Sequence, residues 1–382
     1  MTKTLTRALA FCLLGLPLLA APAAADEASG TWTGQLELRT NYYWETSTRV
    51  VAPEVRARLV SPDGTQVDAG YLLDAITSAS IAAGVQEDIR FTEVRNQGTL
   101  GVSQEFDLGG AQLRLGTSGR VSHEPDYLAT SLTAYSVLSL NQRSTVINTS
   151  LTYIHDDVGS VLRGGETRAD DMGRDLSDRG RQGQLEGISL SASVSQVLTP
   201  VTTLVVGGQL VHNWGFLQNV YRRARVGGGL SAERHPGERT RSTLYGRLAH
   251  FFPETRTAIH LLYRAYLDDW NVGALTPEVR AYQMIGDSVM LRLRYRYYEQ
   301  VDSFFYLAEY ETAQQFVTAD PKMSRFNSHL LGAQLRVGLG WLHGTPIEFM
   351  QRAWVDLSVN YWFQTSTFGD GILAQAGVRI PF

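Results

Sequence analysis

The sequence of 382 residues contains only one cysteine. After its first 25 residues it also has only one lysine and no long apolar run. The cysteine, Cys12, lies within those first residues, so the rest of the chain cannot form disulfides, thiolate metal sites or c-type haem attachments. We expect no metal site and no cofactor. A net charge of −4 gives no electrostatic reason to expect nucleic-acid binding. A mean hydropathy of −0.14 excludes a bundle of apolar membrane helices.

The first 25 residues have the features of an export signal. Lys3 and Arg7 precede an apolar stretch that runs to Ala21, and the alanines at 23–25 fit the small-x-small rule for cleavage. We expect residues 1–25 to be a signal peptide and residues 26–382 to form the folded protein, which leaves the cytoplasm and is exported through the periplasm.

Apolar and polar residues alternate with a period of two through most of the remaining chain. Between residues 288 and 300, Leu291 and Leu293 fall on one face of an extended strand, and Arg292 and Arg294 fall on the other. Such segments run for 10 to 15 residues, longer than the ~5–6 residues of strands in soluble sheets. They match the ~9–11 residues that cross a bilayer at a tilt. The pattern predicts transmembrane strands with an apolar outer face and a polar inner face.

Sixteen such segments are separated alternately by short and by generally longer connections. This alternation is typical of bacterial outer-membrane barrels, and an even count places both termini on the short-turn, periplasmic side. We predict an all-β fold, a transmembrane antiparallel β-barrel of about 16 strands with periplasmic termini. Residues 219–232 could add a further hairpin. The predicted strands are 31–45, 48–60, 65–76, 90–106, 111–122, 127–140, 144–156, 183–198, 201–213, 239–251, 256–268, 275–285, 288–299, 326–341, 351–364 and 371–382.

The last residues of the chain alternate and end in an aromatic side chain. Val378, Ile380 and Phe382 share one face, which continues the apolar positions of Ile372 and Ala374. This pattern resembles the signal by which bacterial outer-membrane barrels are recognised for insertion. We expect Phe382 to be this membrane-insertion signal, and the barrel-assembly machinery and outer-membrane lipid to be partners.

Two local strings are distinctive, a His-Pro-x-x-Arg-Thr-Arg string at 235–241 and a Tyr-Arg-x-Tyr-x-Asp-Asp-Trp string at 263–270. Further strings lie at 74–80, 91–95, 195–200, 215–217, 234–241 and 293–298. Together they resemble a family of Gram-negative outer-membrane proteins that is catalogued only as a domain of unknown function. The resemblance implies a barrel and an outer-membrane location, and it carries no established activity or site.

Arginine supplies nearly all the positive charge of the predicted inner faces, which also carry fewer acids. One interpretation is a structural ladder, because arginine can pair bidentately with carboxylates on adjacent strands. The other is an arginine-rich constriction that favours anions, because charged rings set the selectivity of pores. The candidate residues of the lumen or constriction are Arg56, Arg58, Arg264, Arg292, Arg294, Arg296, Asp74 and Asp268.

Three classes of function remain open. The first is a porin-like channel or transporter for small solutes, including anionic ones. The second is a structural or accessory barrel that serves a periplasmic or surface partner. The third and most remote is a hydrolase at the barrel rim, for which His155-Asp156-Asp157 and Asp268-Asp269 are weak candidates, so we expect no enzyme and assign no catalytic residue.

Two further groups of residues have ordinary explanations. The acids of the loop at 166–178 lack the oxygen spacing of a calcium loop and are expected to be solvated. The aromatic residues near strand ends are expected to lie in the interfacial girdles of the membrane. These aromatics are Tyr42, Trp44, Trp214, Trp270, Trp341 and Trp362.

Overall fold

The computed structural model describes residues 30–45, 48–79, 90–124, 127–159, 183–219 and 222–382. For residues 77–79 and 90–93 it describes the backbone alone. The expected signal peptide and the acidic loop at 166–178 lie outside the described residues, so both interpretations stay predictions.

The described chain forms one closed antiparallel barrel of sixteen strands and a separate two-stranded hairpin. The prediction of a sixteen-stranded antiparallel barrel is confirmed. No α-helix long and apolar enough to cross a membrane occurs in the part of the chain that the structure describes. The hairpin consists of β10 (Arg223–Val226) and β11 (Gly229–Ala232). The barrel strands are β1 (Thr33–Glu45), β2 (Thr48–Val60), β3 (Thr65–Ala79), β4 (Arg90–Asp107), β5 (Gln112–Glu124), β6 (Tyr127–Leu140), β7 (Thr145–Val158), β8 (Gly183–Thr199), β9 (Thr202–Gly215), β12 (Glu238–Phe252), β13 (Thr257–Asp268), β14 (Gly273–Ile285), β15 (Val289–Gln300), β16 (Phe326–Gly338), β17 (Trp354–Gln364) and β18 (Gly371–Pro381).

The first and last strands close the barrel. β1 pairs with β18 along nearly its whole length. Beyond β18, Gly34 and Phe382 exchange two backbone hydrogen bonds, with N to O distances of 2.7 and 2.9 Å. The Phe382 ring lies over Gly34, where an added Cβ would displace it. Closure leaves neither strand with an unpaired edge, which removes the aggregation hazard of an open sheet.

The two faces of the wall differ as the alternation predicts. Large apolar side chains are exposed on the outer face, among them Leu244 at 68% and Leu293 at 54%. The opposite face, which surrounds the lumen, carries most of the arginines and carboxylates of the strands. An apolar exterior and a polar interior are the signature of a barrel with lipid outside and a hydrated or filled lumen inside.

The two ends of the barrel are unlike. At the short-turn end, which also holds both termini of the barrel, six of the seven connections have two to four residues. The seventh, at residues 339–353, contains two 3₁₀ turns, at Gly340–Leu342 and Glu348–Met350. It is longer than the predicted connection at 342–350. The other end, here called the long-loop end, holds the connections at 216–237 and 301–325.

These two long connections fold together into one unit, here called the cap. The hairpin of β10 and β11 belongs to the cap and not to the barrel wall. The hairpin considered for 219–232 therefore forms without changing the barrel count. Ala224, Tyr310 and Val317 make a small buried apolar cluster at the centre of the cap.

Candidate functional site: the arginine-rich wall of the lumen

Most arginines on one part of the inner wall are neutralised by ion pairs. Across β1–β5 and β16–β18, carboxylates lie beside arginines on the same strand or the next, and Arg143 reaches Glu105 from the turn between β6 and β7. Arg58 Nε, for example, lies 2.6 Å from Asp68 Oδ1 across the β2–β3 pair. These pairs cancel most of the positive charge of this part of the wall. The pairs are Glu37 with Arg39 and Arg379, Glu54 with Arg56, Asp68 with Arg58, Asp74 with Arg95, Glu105 with Arg114 and Arg143, and Asp356 with Arg336.

The inner face of β12–β15 has a large excess of positive charge. It carries eight arginines and two carboxylates on the lumen-facing positions of four neighbouring strands. Low-dielectric walls focus such an excess into the enclosed space. The arginines are Arg239, Arg241, Arg247, Arg264, Arg280, Arg292, Arg294 and Arg296, and the carboxylates are Asp268 and Glu278.

Glu278 neutralises only part of this group. Arg294 Nη2 lies 2.8 Å from Glu278 Oε2, and Arg280 pairs with the other oxygen of the same carboxylate. The alternation of β15 puts Arg294 in one row along the lumen with the arginines two residues before and after it. In the described part of the chain, four arginines of this wall form no ion pair to a carboxylate, namely Arg247, Arg264, Arg292 and Arg296.

The predicted site residues therefore fall into two groups. Arg56, Arg58 and Asp74 belong to the neutralised part of the wall, with Asp74 buried beside Arg95. The other group lies on β13 and β15, where Asp268 is buried at the end of the strand. The structure thus brings the second group together on one side of the lumen and places the first group on other strands. The second group consists of Arg264, Arg292, Arg294, Arg296 and Asp268.

The two strongest family strings meet at the long-loop end. Arg239 donates to Asp268 Oδ2 from Nε and Nη2, at 2.9 and 2.5 Å, and its guanidinium lies 4.2 Å from the centre of the Trp270 ring. The Trp270 indole N–H donates to the Glu238 carbonyl at 2.8 Å, and His235 contacts the same ring edge-on. These strings therefore form a structural clamp between β12 and β13.

The cap extends from this clamp over the mouth of the barrel. The amide of Gln300, the last residue of β15, donates to the carbonyls of Lys322 and Ser324 at 2.9 and 2.6 Å. Lys322 also interacts electrostatically with Glu45 at the end of β1. The turn at Pro321–Met323 is thereby bonded to the end of β15, and its lysine is close enough to β1 to interact with Glu45.

Two residues at this mouth were not among the predicted site residues. Gln300 stood on the predicted inner face of β15, but nothing in the sequence indicated that it would hold a loop. Lys322 had a visible signal, because it is the only lysine after the first 25 residues.

The girdle interpretation is wrong for two of the aromatic residues. Trp270 is only 3% exposed, because its ring is surrounded within the clamp. Trp362 stands on a lumen-facing position of β17 and covers Gly371, where a Cβ would overlap the indole. Trp44, by contrast, is exposed on the outer face of β1.

The weak catalytic candidates on β7 are not assembled into one site. His155 and Asp156 project to opposite faces of the strand, as adjacent residues of a strand must. Asp156 accepts a hydrogen bond from Tyr127 at 2.6 Å, whereas His155 Nδ1 lies 2.7 Å from Glu186.

The second pair of candidate acids, Asp268 and Asp269, makes structural contacts in and beside the clamp. Asp269 accepts from the Thr240 amide at 2.8 Å, while Asp268 holds Arg239. In the described residues no cluster of His, Cys, Asp or Glu side chains is arranged to hold a metal ion.

Closed antiparallel strands, an apolar exterior and a charged interior define the chain as a transmembrane β-barrel of the outer-membrane type. The sequence matches the family described as protein of unknown function (DUF3570) over residues 86–353, more than half of the chain, and the chain belongs to this family. The predicted resemblance is confirmed. No curated protein matches the sequence significantly.

The chain is similar to several solved outer-membrane proteins, all of them distant in sequence. A bacterial polysaccharide outer membrane secretin is 9% identical, with a TM-score of 0.51, over 93% of this chain and 100% of that one. A loop-deletion mutant of OmpT, an outer membrane protein of Vibrio cholerae, is 10% identical, with a TM-score of 0.42, over 93% and 100%. Pseudomonas aeruginosa OprD is 10% identical, with a TM-score of 0.40, over 93% and 97%. At 9% identity the similarity to the secretin shows the fold alone.

Proposed function

We propose that the protein is a porin-like channel of the bacterial outer membrane that admits small anionic solutes. The observation that carries this proposal is the excess of arginine on the inner face of β12–β15, where Arg247, Arg264, Arg292 and Arg296 have no carboxylate in ion-pair contact within the described residues. A positive potential in an enclosed aqueous path raises the local concentration of anions and sets charge selectivity. A sixteen-stranded barrel is wide enough for such a path.

As such a channel, the barrel would have a defined orientation in the membrane and defined contacts. Both termini and the short turns would face the periplasm, and the cap would face the outside of the cell. The exposed leucines of the outer wall would contact membrane lipid, and the barrel-assembly machinery would recognise the strand that ends at Phe382. No reaction is assigned to the protein.

The test is solute entry into proteoliposomes that contain the purified barrel. Swelling should be faster in an isosmotic solution of a small organic anion than in one of a cation of similar size. Replacing both Arg292 and Arg296 with glutamine should reduce this preference. The matched control replaces Arg58 with glutamine and Asp68 with asparagine, which removes one ion pair from the wall without changing its net charge.

The alternative is a structural or accessory barrel without channel activity. The specific observation that favours it is the cap, since the turn at Pro321–Met323 lies over the mouth and is bonded to Gln300. Proteoliposomes that contain folded barrel and do not swell in any small solute would contradict the channel and support this alternative.

A further inference from the structure

A cavity of about 220 Å³ lies between the wall of β12–β15 and the cap. Arg239 and Arg264 line it from the wall, and Lys322 lines it from the turn of the cap. Asp268 neutralises Arg239, so the positive charge that the wall leaves uncompensated here is that of Arg264. The cavity stands where a solute from the long-loop end would first meet the arginines of β15.

Of the two arginines, Arg264 is the one available to a ligand. Arg239 is occupied by its two hydrogen bonds to Asp268 and by its contact with Trp270. Arg264 is exposed to the lumen, and in the described part of the chain it makes no ion pair. A guanidinium binds the two oxygens of a carboxylate through parallel N–H groups, which gives both strength and orientation.

The remaining lining indicates an organic body on the ligand. Tyr266 donates its hydroxyl to Asp268 at 2.7 Å, and Tyr298 donates its hydroxyl to Gln300 at 2.5 Å. Both rings are thereby held in place with their proton donors occupied, and Met323 adds a thioether side chain from the cap. Aromatic and thioether surfaces suit a compact apolar group better than a bare inorganic anion.

The cover of the cavity is held by buried polar contacts. Asp320 accepts a hydrogen bond from the Lys322 amide at 3.0 Å and forms a buried ion pair with Arg222. Glu233, which is fully buried, accepts from the Thr318 hydroxyl at 2.6 Å. A cavity whose walls are already ordered binds without the entropy cost of arranging them.

We propose that this cavity is a binding subsite for a small organic monocarboxylate, in which Arg264 holds the carboxylate and Tyr266, Tyr298 and Met323 contact the apolar body. Its part in solute uptake rests on the proposed channel function. Binding itself requires no conduction, so the two proposals can fail separately.

The experiment is calorimetric titration of the detergent-solubilised full-length barrel with benzoate, benzyl alcohol and inorganic phosphate as probes. We expect saturable binding of benzoate and much weaker binding of the alcohol and of phosphate. Arg264→Gln should weaken benzoate binding by about tenfold or more, because a charge-assisted hydrogen bond contributes roughly that factor. The benzoate affinity of Arg264→Lys should lie between those of the wild type and Arg264→Gln, because lysine keeps the positive charge but lacks the two parallel N–H groups of the guanidinium. Heat-modifiable gel mobility checks that each variant is folded, and Arg58→Gln is the matched control.

Equal binding of benzoate by the wild type and by folded Arg264→Gln would overturn the assignment. So would undetectable binding of benzoate, or binding of phosphate that matches it. Benzoate binding in a barrel that admits no solute would leave the subsite in place and remove the channel. Anion-selective swelling without benzoate binding would support the channel and overturn the subsite.

Discussion

Replacing Leu293 with arginine should destabilise the barrel far more than replacing its neighbour Arg292 with leucine. Leu293 is 54% exposed near the middle of β15, between Ala281 and Ala333 of the adjacent strands. Arginine on a lipid face costs roughly 2–4 kcal/mol near the bilayer midplane, and the two alanines offer it no partner. Arg292 projects to the lumen without a carboxylate in contact among the described residues, so Arg292→Leu should cost less than about 1 kcal/mol.

Urea unfolding in lipid vesicles, followed by tryptophan fluorescence, gives the two free energies. Leu293→Ala serves as the control, because it removes the leucine without adding a charge. If Arg292→Leu proves the more damaging change, the assignment of faces on this strand is wrong by one residue, since a slip of one residue exchanges the two faces.

Three other changes test the closure, the wall and the cap. Deleting Phe382 removes both backbone hydrogen bonds to Gly34 and should lower the urea midpoint more than Phe382→Ala, which keeps them; equal midpoints would contradict this role of the bonds. Gly371→Ala would place a Cβ against the Trp362 indole and should cost about 1–3 kcal/mol, but far less in a Trp362→Val background; an equal cost in both backgrounds would refute the clash. Arg222→Ala leaves Asp320 buried and without this partner. Hydrogen exchange of the Thr318 and Lys322 amides should therefore become faster by the equivalent of about 3–5 kcal/mol, while the amides of the barrel keep their rates. Unchanged exchange in the cap would show that the ion pair of Arg222 and Asp320 does not stabilise the cap.

The strands could be predicted because each one lies between two different environments, and a strand exposes alternate residues to each. All sixteen predicted barrel strands occur, and their bounds agree with the structure within three residues. Two of the largest differences surround the connection at 339–353. There, Leu339 and Trp341 continue the alternation of β16, but the strand ends at Gly338 and the chain forms a 3₁₀ turn at Gly340–Leu342 instead.

Which arginines of the wall are neutralised could not be predicted from the sequence. Whether an arginine is neutralised depends on the register between strands, as for Arg58 and Asp68, which stand opposite each other on β2 and β3. The alternation indicated an excess of arginine but not its concentration on β12–β15. Lys322 reaches the mouth through the folding of a loop, and no periodic pattern predicts where a loop of that length will pack.

Anion selectivity can be read from the sign of the reversal potential across a planar bilayer in a salt gradient. The arginines of β12–β15 that lack a carboxylate partner predict that chloride carries more current than potassium. They also predict that Arg292→Glu shifts the reversal potential toward that of a cation-preferring pore. A cation preference in the wild-type barrel would contradict the proposed role of this wall, because its charge would then not control which ions pass.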